Sequence, residues 1–454
     1  MVLRDNMNDL LDITKWRLSP YQILALGFAG LILFGALLLT TPAASATGER
    51  VGFIDALFTA TSAACVTGLK VVDTGTTFSL FGQLVIIGLI QIGGLGIMTM
   101  ATLMALLMGK KIRLKERLVM QQELHQVSVS GVVRLTQYII KATLLIEGIG
   151  GAILAYHWWH KLGPAKAIYY GYWHAVSAFC NSGFDLFGDF RSFSRYVDDA
   201  TVVLTVTTLV ILGGIGFAVI VDVWENRRLR KISLHSKVVL ASTAFLILFG
   251  MIVILAMEVN NPDTLQPLSM KGKLLASYFQ SVTARTGGFS SVYIGHMADS
   301  TLFFLVILMF IGASPGSAGG GVKTSTVAVL AAAIWAMIRG REDVQMYSRR
   351  IPSSLVYKAF AITFLAAGLI IFVTMVLSIS ENATFLSILF EVVSAFATVG
   401  LSAGLTTELT LHGKVWIILT MFAGRVGPVT LAMALAMRQE RQLIKYPEGK
   451  VIIG

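Results

Sequence analysis

Four short stretches of the 454-residue chain repeat one arrangement of residue types: an apolar pair, a polar residue, a hydroxyl three positions later, and a glycine followed by a large apolar residue. They run from Leu57 to Leu69, Tyr172 to Phe184, Tyr278 to Phe289 and Leu389 to Leu401. The polar residues are Thr59, His174, Gln280 and Glu391, the hydroxyls Ser62, Ser177, Thr283 and Ser394, and the glycines Gly68, Gly183, Gly288 and Gly400. The third copy is one residue short before its glycine, which leaves Gly287 as an alternative register; Phe289, matching Leu69, Phe184 and Leu401, favours Gly288. Side-chain catalysis finds no support. There is no two-aspartate, Ser-His or His-Glu-x-x-His arrangement, and Cys65 and Cys180 are too few for a disulfide framework or a four-ligand zinc site. The chemistry on offer belongs to the main chain, because glycine allows unusual dihedrals and brings backbone oxygens close to whatever it lines.

A non-helical backbone at membrane depth is tolerated only where protein or a water-filled cavity surrounds it. Four such loops about one axis give a ring of carbonyls, which can replace the hydration shell of a cation. A short helix ahead of each loop would turn its partly negative C-terminal end towards that cation. The glycines recur about 105 to 115 residues apart, and each is followed by a second landmark: Gly93-Gly-Leu-Gly, Gly213-Gly-Ile-Gly, Gly312-Ala-Ser-Pro-Gly and Gly424-Arg-Val-Gly. One such glycine alone reads as helix packing through small residues; fourfold recurrence reads as a filter.

The elements that must hold these loops are membrane helices. The chain is 55% apolar and 13% charged, where soluble domains are about one-quarter charged. Apolar stretches such as Pro20 to Thr41 and Val202 to Trp224 are long enough to cross a hydrocarbon core of about 30 Å as helices, and the alternation of a membrane β-barrel is absent. A soluble enzyme is thereby excluded. The net charge of +11 concentrates in short loops rather than in a nucleic-acid patch. The clusters are Lys110, Lys111, Arg113, Lys115 and Arg117; Arg227, Arg228, Arg230, Lys231 and Lys237; Arg339, Arg341, Arg349 and Arg350; and Arg438, Arg441, Lys445 and Lys450, with Arg4, Lys15 and Arg17 ahead of them. The positive-inside rule puts these segments and both termini in the cytoplasm. Two spans per interval then give eight, and a third, shorter piece such as Ile54 to Cys65 is re-entrant. The expected fold is an all-α polytopic membrane protein of four pseudo-repeated span–pore helix–loop–span units around one central pore. Its units are residues 1-118, 119-233, 234-345, with an intramembrane gate loop, and 346-454, which includes a cytoplasmic C-terminal tail.

The order of these elements, with the loops Val-Thr-Gly-Leu, Asn-Ser-Gly-Phe, Arg-Thr-Gly-Gly-Phe and Thr-Val-Gly-Leu, resembles the Ktr/Trk/HKT superfamily of potassium transporters over nearly the whole chain, the bacterial Ktr branch most. The resemblance implies a filter of Val66, Thr67, Gly68, Asn181, Ser182, Gly183, Thr286, Gly287, Gly288, Thr398, Val399 and Gly400, with glycine in all four copies going with potassium preference. It also implies uptake of K+, with Na+ as a candidate activator, in a multi-pass protein of the bacterial plasma membrane. A homodimer with one pore per protomer, and a cytosolic ring of nucleotide-binding, KtrA-like regulatory subunits, follow from the same resemblance. The doubled glycine of the third loop is the one local departure.

Two further features bear on conduction. Pro315 and the glycines Gly312, Gly316, Gly319, Gly320 and Gly321 cannot sustain a membrane helix, so residues 312-324, including Ser314 and Lys323, should unwind beside the pore. In the resembling family this loop is the gate; the alternative is a packing kink. Val322 stands where a Walker A loop requires glycine, so nucleotide is not the ligand. Arg425, within the fourth landmark, is either an electrostatic barrier inside the filter or a structural bond to exposed loop carbonyls. Arg285 reads as a brace for neighbouring backbone, Lys323 as a group that holds the gate closed, and Glu391, Asp55 and Glu147 as partners for such cations. Against a K+ pathway stand a secondary transporter of an organic solute, an intramembrane enzyme and a sensor, and none of these accounts for four equivalent loops.

Overall fold

The computed structural model describes residues 19–97, 99–100, 114–123, 132–226, 231–427 and 430. Of the basic residues used to orient the chain, Arg4, Lys15, Arg17, Lys110, Lys111, Arg113, Arg227, Arg228, Arg230, Arg438, Arg441, Lys445 and Lys450 lie outside the described residues.

One sequence of elements occurs four times. A long apolar helix is followed by a shorter one, an irregular loop and a broken helix. In the first unit these are α1 (Pro20–Leu39), α2 (Phe53–Ala64) and α3 (Leu80–Leu95). The second has α4 (Val132–Leu162), α5 (Pro164–Phe179), α6 (Ala200–Gly214) and α7 (Phe217–Asn226). The third has α8 (Leu234–Glu258), α9 (Met270–Thr283), α10 (Asp299–Phe310) and α11 (Thr324–Ile338), and the fourth α12 (Ser353–Ser380), α13 (Phe385–Phe396) and α14 (Leu411–Val426). A hairpin of two two-residue strands, Gln345–Met346 and Arg349–Arg350, is the only sheet among the described residues.

Local sequence sets the helix ends. Ser19 and Gln22 close a capping box on α1, with Pro20 at its first position; the helix stops before Pro42. Ser233, Ser269 and Thr384 cap α8, α9 and α13 through their side chains.

The layering runs from long helices outside to short helices inside. Between 28% and 39% of each long span is buried in the protein, and Phe34, Phe364 and Ile379 stand exposed on their outer faces. The short helices α2, α5, α9 and α13 are instead buried over most of their length. Their recurring apolar pair is explained by one face: Phe58, Trp173, Phe279 and Phe390, the second residue of each pair, are all buried. Full burial of such a side chain is worth about 1.5–3 kcal/mol.

Among the described residues, only α1, α4, α8 and α12 are single helices long and apolar enough to cross a membrane. The expected unbroken span from Val202 to Trp224 is bent by 96° between α6 and α7. The cause is the last glycine of each second landmark. Gly96, Gly216 and Gly427 take φ of +92°, +93° and +90°, a conformation no helix tolerates, and in the third unit Gly316 at +66° lies within a longer break. In every unit the described helix that follows the loop is therefore interrupted at its second landmark.

Candidate functional site

Each short helix ends just ahead of its glycine loop, with Cys65, Cys180, Ala284 and Ala397 as caps. Beyond the caps the backbone turns left-handed twice, two residues apart: Val66 and Gly68, Asn181 and Gly183, Thr286 and Gly288, Thr398 and Gly400. The non-glycine members have φ of +55°, +58°, +73° and +49°, each a strained placement worth about 1–2 kcal/mol. This pairing makes Gly288, rather than Gly287, the equivalent of the other three glycines. The one-residue shortfall counted from Thr283 is the net of two differences: α9 ends on that residue, whereas α2 continues two residues beyond Ser62, and the third loop has one more residue between cap and strained residue.

The four glycines meet. A side-chain carbon placed on Gly68 would collide with Ser182 O and lie 3.1 Å from Gly183 Cα and 3.3 Å from Gly400 Cα. On Gly183 it would lie 2.7 Å from Gly288 Cα, on Gly288 2.5 Å from Val399 O, and on Gly400 it would strike Thr67 O. Loops one to four thus contact one another in cyclic order, through glycine Cα atoms and main-chain oxygens, with no room for a side chain.

The polar residues of the repeat hold this arrangement, a task that sequence did not assign to them. Ser62 Oγ accepts from Gly68 N at 3.0 Å and Ser394 Oγ from Gly400 N at 3.1 Å. Ser177 Oγ meets Ser182 Oγ at 2.7 Å and donates to Phe184 O at 2.6 Å. Thr283 does not play this part; its hydroxyl turns back to Phe279 O at 3.0 Å. The other polar set reaches past the glycines to the chain leaving each loop. His174 Nε2 accepts from Leu186 N at 3.2 Å, and Glu391 accepts from Ala403 N at 3.1 Å, from Thr406 Oγ1 at 2.7 Å and from Ser402 Oγ. Thr59 is too short for this and bonds Asp55 O. The offset of six residues from serine to glycine was the available signal.

Residues 312–323 are unwound, as composition required, and lie against the inner side of the loops. Gly320 N donates to Thr398 Oγ1 at 3.0 Å, and Gly319 abuts Thr286 Oγ1. The segment closes on itself through Gly312 N to Val322 O at 3.0 Å and Lys323 Nζ to Gly319 O at 2.6 Å. Its tip is bound to the second unit by Ser314 N to Gly214 O at 3.0 Å, Ala318 N to Gly213 O at 3.2 Å and Phe217 N to Gly316 O at 2.9 Å. Arg425 donates to Ala318 O and to Gly93 O, which fits the loop-carbonyl alternative.

The acids expected to pair with these cations have other partners among the described residues. Asp55 binds Lys414 at 2.7 Å, Glu147 accepts from Gln91 at 3.2 Å, Glu391 serves the fourth loop, and Arg285 reaches Thr243 O at 3.5 Å as a brace. Asp55 and Glu147 find their partners in other units, which spacing along one unit does not reveal, whereas Glu391 is served from 11 to 15 residues further along its own unit.

One cavity of about 430 Å³ is lined by Gly68, Gly288, Gly400 and the segments leaving their loops. A second, of about 220 Å³, is lined by Pro315, Gly316, Gly319, Gly321, Lys323 and Arg425 among others. Converging main-chain loops with a cavity beyond them, an unwound plug with another, and an outer shell of lipid-facing helices define a membrane transport protein rather than an enzyme. The chain matches the family model for the TrkH cation transport proteins over residues 21–445, and it belongs to that family. It is 44% identical to Ktr system potassium uptake protein B of Bacillus subtilis, covering 97% of this chain and 98% of the relative. It is 42% identical to the potassium/sodium uptake protein NtpJ of Enterococcus hirae, covering 96% and 98%. The crystal structure of the potassium transporter TrkH from Vibrio parahaemolyticus has the same fold, with a TM-score of 0.72 at 17% identity over 92% of this chain and 84% of that one.

Proposed function

We propose that this chain carries K+ into the bacterial cell through a filter formed by the glycine loops at Gly68, Gly183, Gly288 and Gly400, with residues 312–324 as its gate. The observation that carries the reading is the fourfold pair of left-handed residues, which brings four glycines together around a ring beside main-chain oxygens of the neighbouring loops. The four units, both termini in the cytoplasm and eight crossings complete the topology. Potassium is the cargo named for the relatives, and sodium is named beside it for one of them, which supports sodium stimulation. The word system and the letter B in the name of the Bacillus subtilis relative support a companion subunit, which we take to be a KtrA-like regulatory ring acting on a homodimer. In this reading the ties from Arg425, Lys323 and Thr398 hold the gate shut, and the ring releases it.

Gly68→Ser and Gly288→Ser test the filter in proteoliposomes, with K+ uptake measured against competing Na+. Each substitution forces a side chain into a left-handed position at about 1–2 kcal/mol and into neighbouring backbone. A shift of about 1.4 kcal/mol between the two ions is a tenfold loss of preference. Normal preference in a well-expressed variant refutes the filter.

A further inference from the structure

The cavity outside the glycine loops carries one permanent charge among the described residues that line it, and the charge has the sign of the proposed cargo: Lys70. Among the described residues no carboxylate lines that cavity. The ammonium is paired from behind. Lys70 Nζ lies 2.5 Å from Oδ2 of Asp185, which is nearly inaccessible, while Lys70 keeps partial exposure. Lys70 and Asp185 hold the same place in the repeat, two residues after Gly68 and Gly183; the third and fourth units have Ser290 and Ser402 there. The other oxygen of Asp185 accepts from Phe187 N at 3.2 Å. Asp73, the neighbouring buried acid, is taken up by Gly75 N and Thr76 N at 3.0 Å and by Phe190 N at 2.9 Å. Asp185 is therefore the group that balances Lys70.

We propose that Lys70 is a tethered cation at the outer mouth, neutralised by Asp185, and that this pair sets how readily a monovalent cation enters. The proposal rests on the filter reading above. Removing the carboxylate exposes an unbalanced positive charge to the incoming ion; removing the ammonium leaves a negative one that attracts it. The two single substitutions should therefore act in opposite directions. A pair that only tied the first loop to the second would be damaged alike from either side.

The test is K+ uptake by the full chain in proteoliposomes as a function of external K+, at low and high concentrations of an impermeant salt. Asp185→Asn is expected to raise the apparent KM roughly tenfold at low salt, and less at high salt, because a charge facing water is screened. Lys70→Gln is expected to lower KM, and the double variant to return it to near the wild-type value. Equal impairment by both single substitutions, with no recovery in the double variant, overturns the proposal. Should Asp185→Asn fail to reach the membrane, Lys70→Cys gives a second reading with external thiol reagents of either charge, since Cys65 and Cys180 are buried. A cationic adduct should depress uptake and an anionic one should not; equal effects refute the charge mechanism. If Gly68→Ser keeps its ion preference the filter reading falls. If it loses preference while the Lys70 series stays flat, only the present proposal falls.

Discussion

The bond between Gly320 N and Thr398 Oγ1 is the direct link between the unwound segment and a filter loop, and Thr398→Val removes it with little change of shape. Valine already occupies the matching place in the first loop, where Val66 has φ of +55° against +49° for Thr398, so the left-handed backbone should survive. The Gly320 amide then loses its acceptor at a site that excludes water, since Thr398 is fully buried. An unpaired buried donor costs about 1–3 kcal/mol. If that cost falls on the closed arrangement alone, it shifts the balance of closed and open forms by about 5- to 150-fold. The remaining ties, from Lys323, Arg425 and the backbone of Gly213 and Gly214, keep the segment in place, so the expected result is a leak and not unfolding.

Two measurements check it. Amide hydrogen exchange over residues 312–324 should quicken, and the maximal rate of K+ uptake by the chain alone in proteoliposomes should rise. Thr398→Ser, which keeps the acceptor, should stay near wild type in both. Unchanged exchange in Thr398→Val would refute the reasoning outright; slower uptake with lost K+ over Na+ preference would make Thr398 a filter residue with no part in gating.

Other consequences follow from single contacts. Ser394→Ala strips the acceptor from Gly400 N and should weaken K+ over Na+ preference at normal expression, while Ser394→Thr preserves it; equal competition curves for all three proteins would contradict the clamp. Gly216→Ala forces a side chain to φ of +93° with its Cβ 2.6 Å from Pro315 O, so the detergent-purified protein should lose about 1–2 kcal/mol, seen as a lower Tm; an unshifted Tm would show that the α6–α7 break does not depend on glycine.

The glycine loops were legible because their pattern is local: helix, cap, strained residue and glycine lie within a dozen positions of one another. The second crossings were not. Glycines were plain in each second landmark, but composition does not disclose that Gly96, Gly216 and Gly427 all adopt φ near +90° and stop a helix. The clamps were half legible. Recurrence singled out Ser62, Ser394, His174 and Glu391, yet a hydroxyl or carboxylate acquires a task only when the chain folds back and brings a partner to it. The ion pairs were beyond reach for the same reason: Asp55 and Lys414 belong to opposite ends of the sequence.

The third unit departs from the others, and the departure has a use. In units one, two and four the first glycine of the second landmark presses on the last residue of its own short helix: Gly93 on Ala64 O, Gly213 on Phe179 O and Gly424 on Phe396 O. Gly312, its counterpart, presses on Gly320 O within its own unwound segment. Between cap and strained residue the third loop also has an additional residue, Arg285, whose guanidinium braces α8 instead of the pore. Three units thus lock their broken helices to the filter from behind, while the third leaves its break unanchored to its own short helix. A segment held chiefly by bonds to its neighbours can leave when those bonds are exchanged, with no disturbance of the four glycines. In the filter and gate reading proposed above, that division of labour lets one quarter of the ring supply a movable part while the other three keep the ligand geometry rigid.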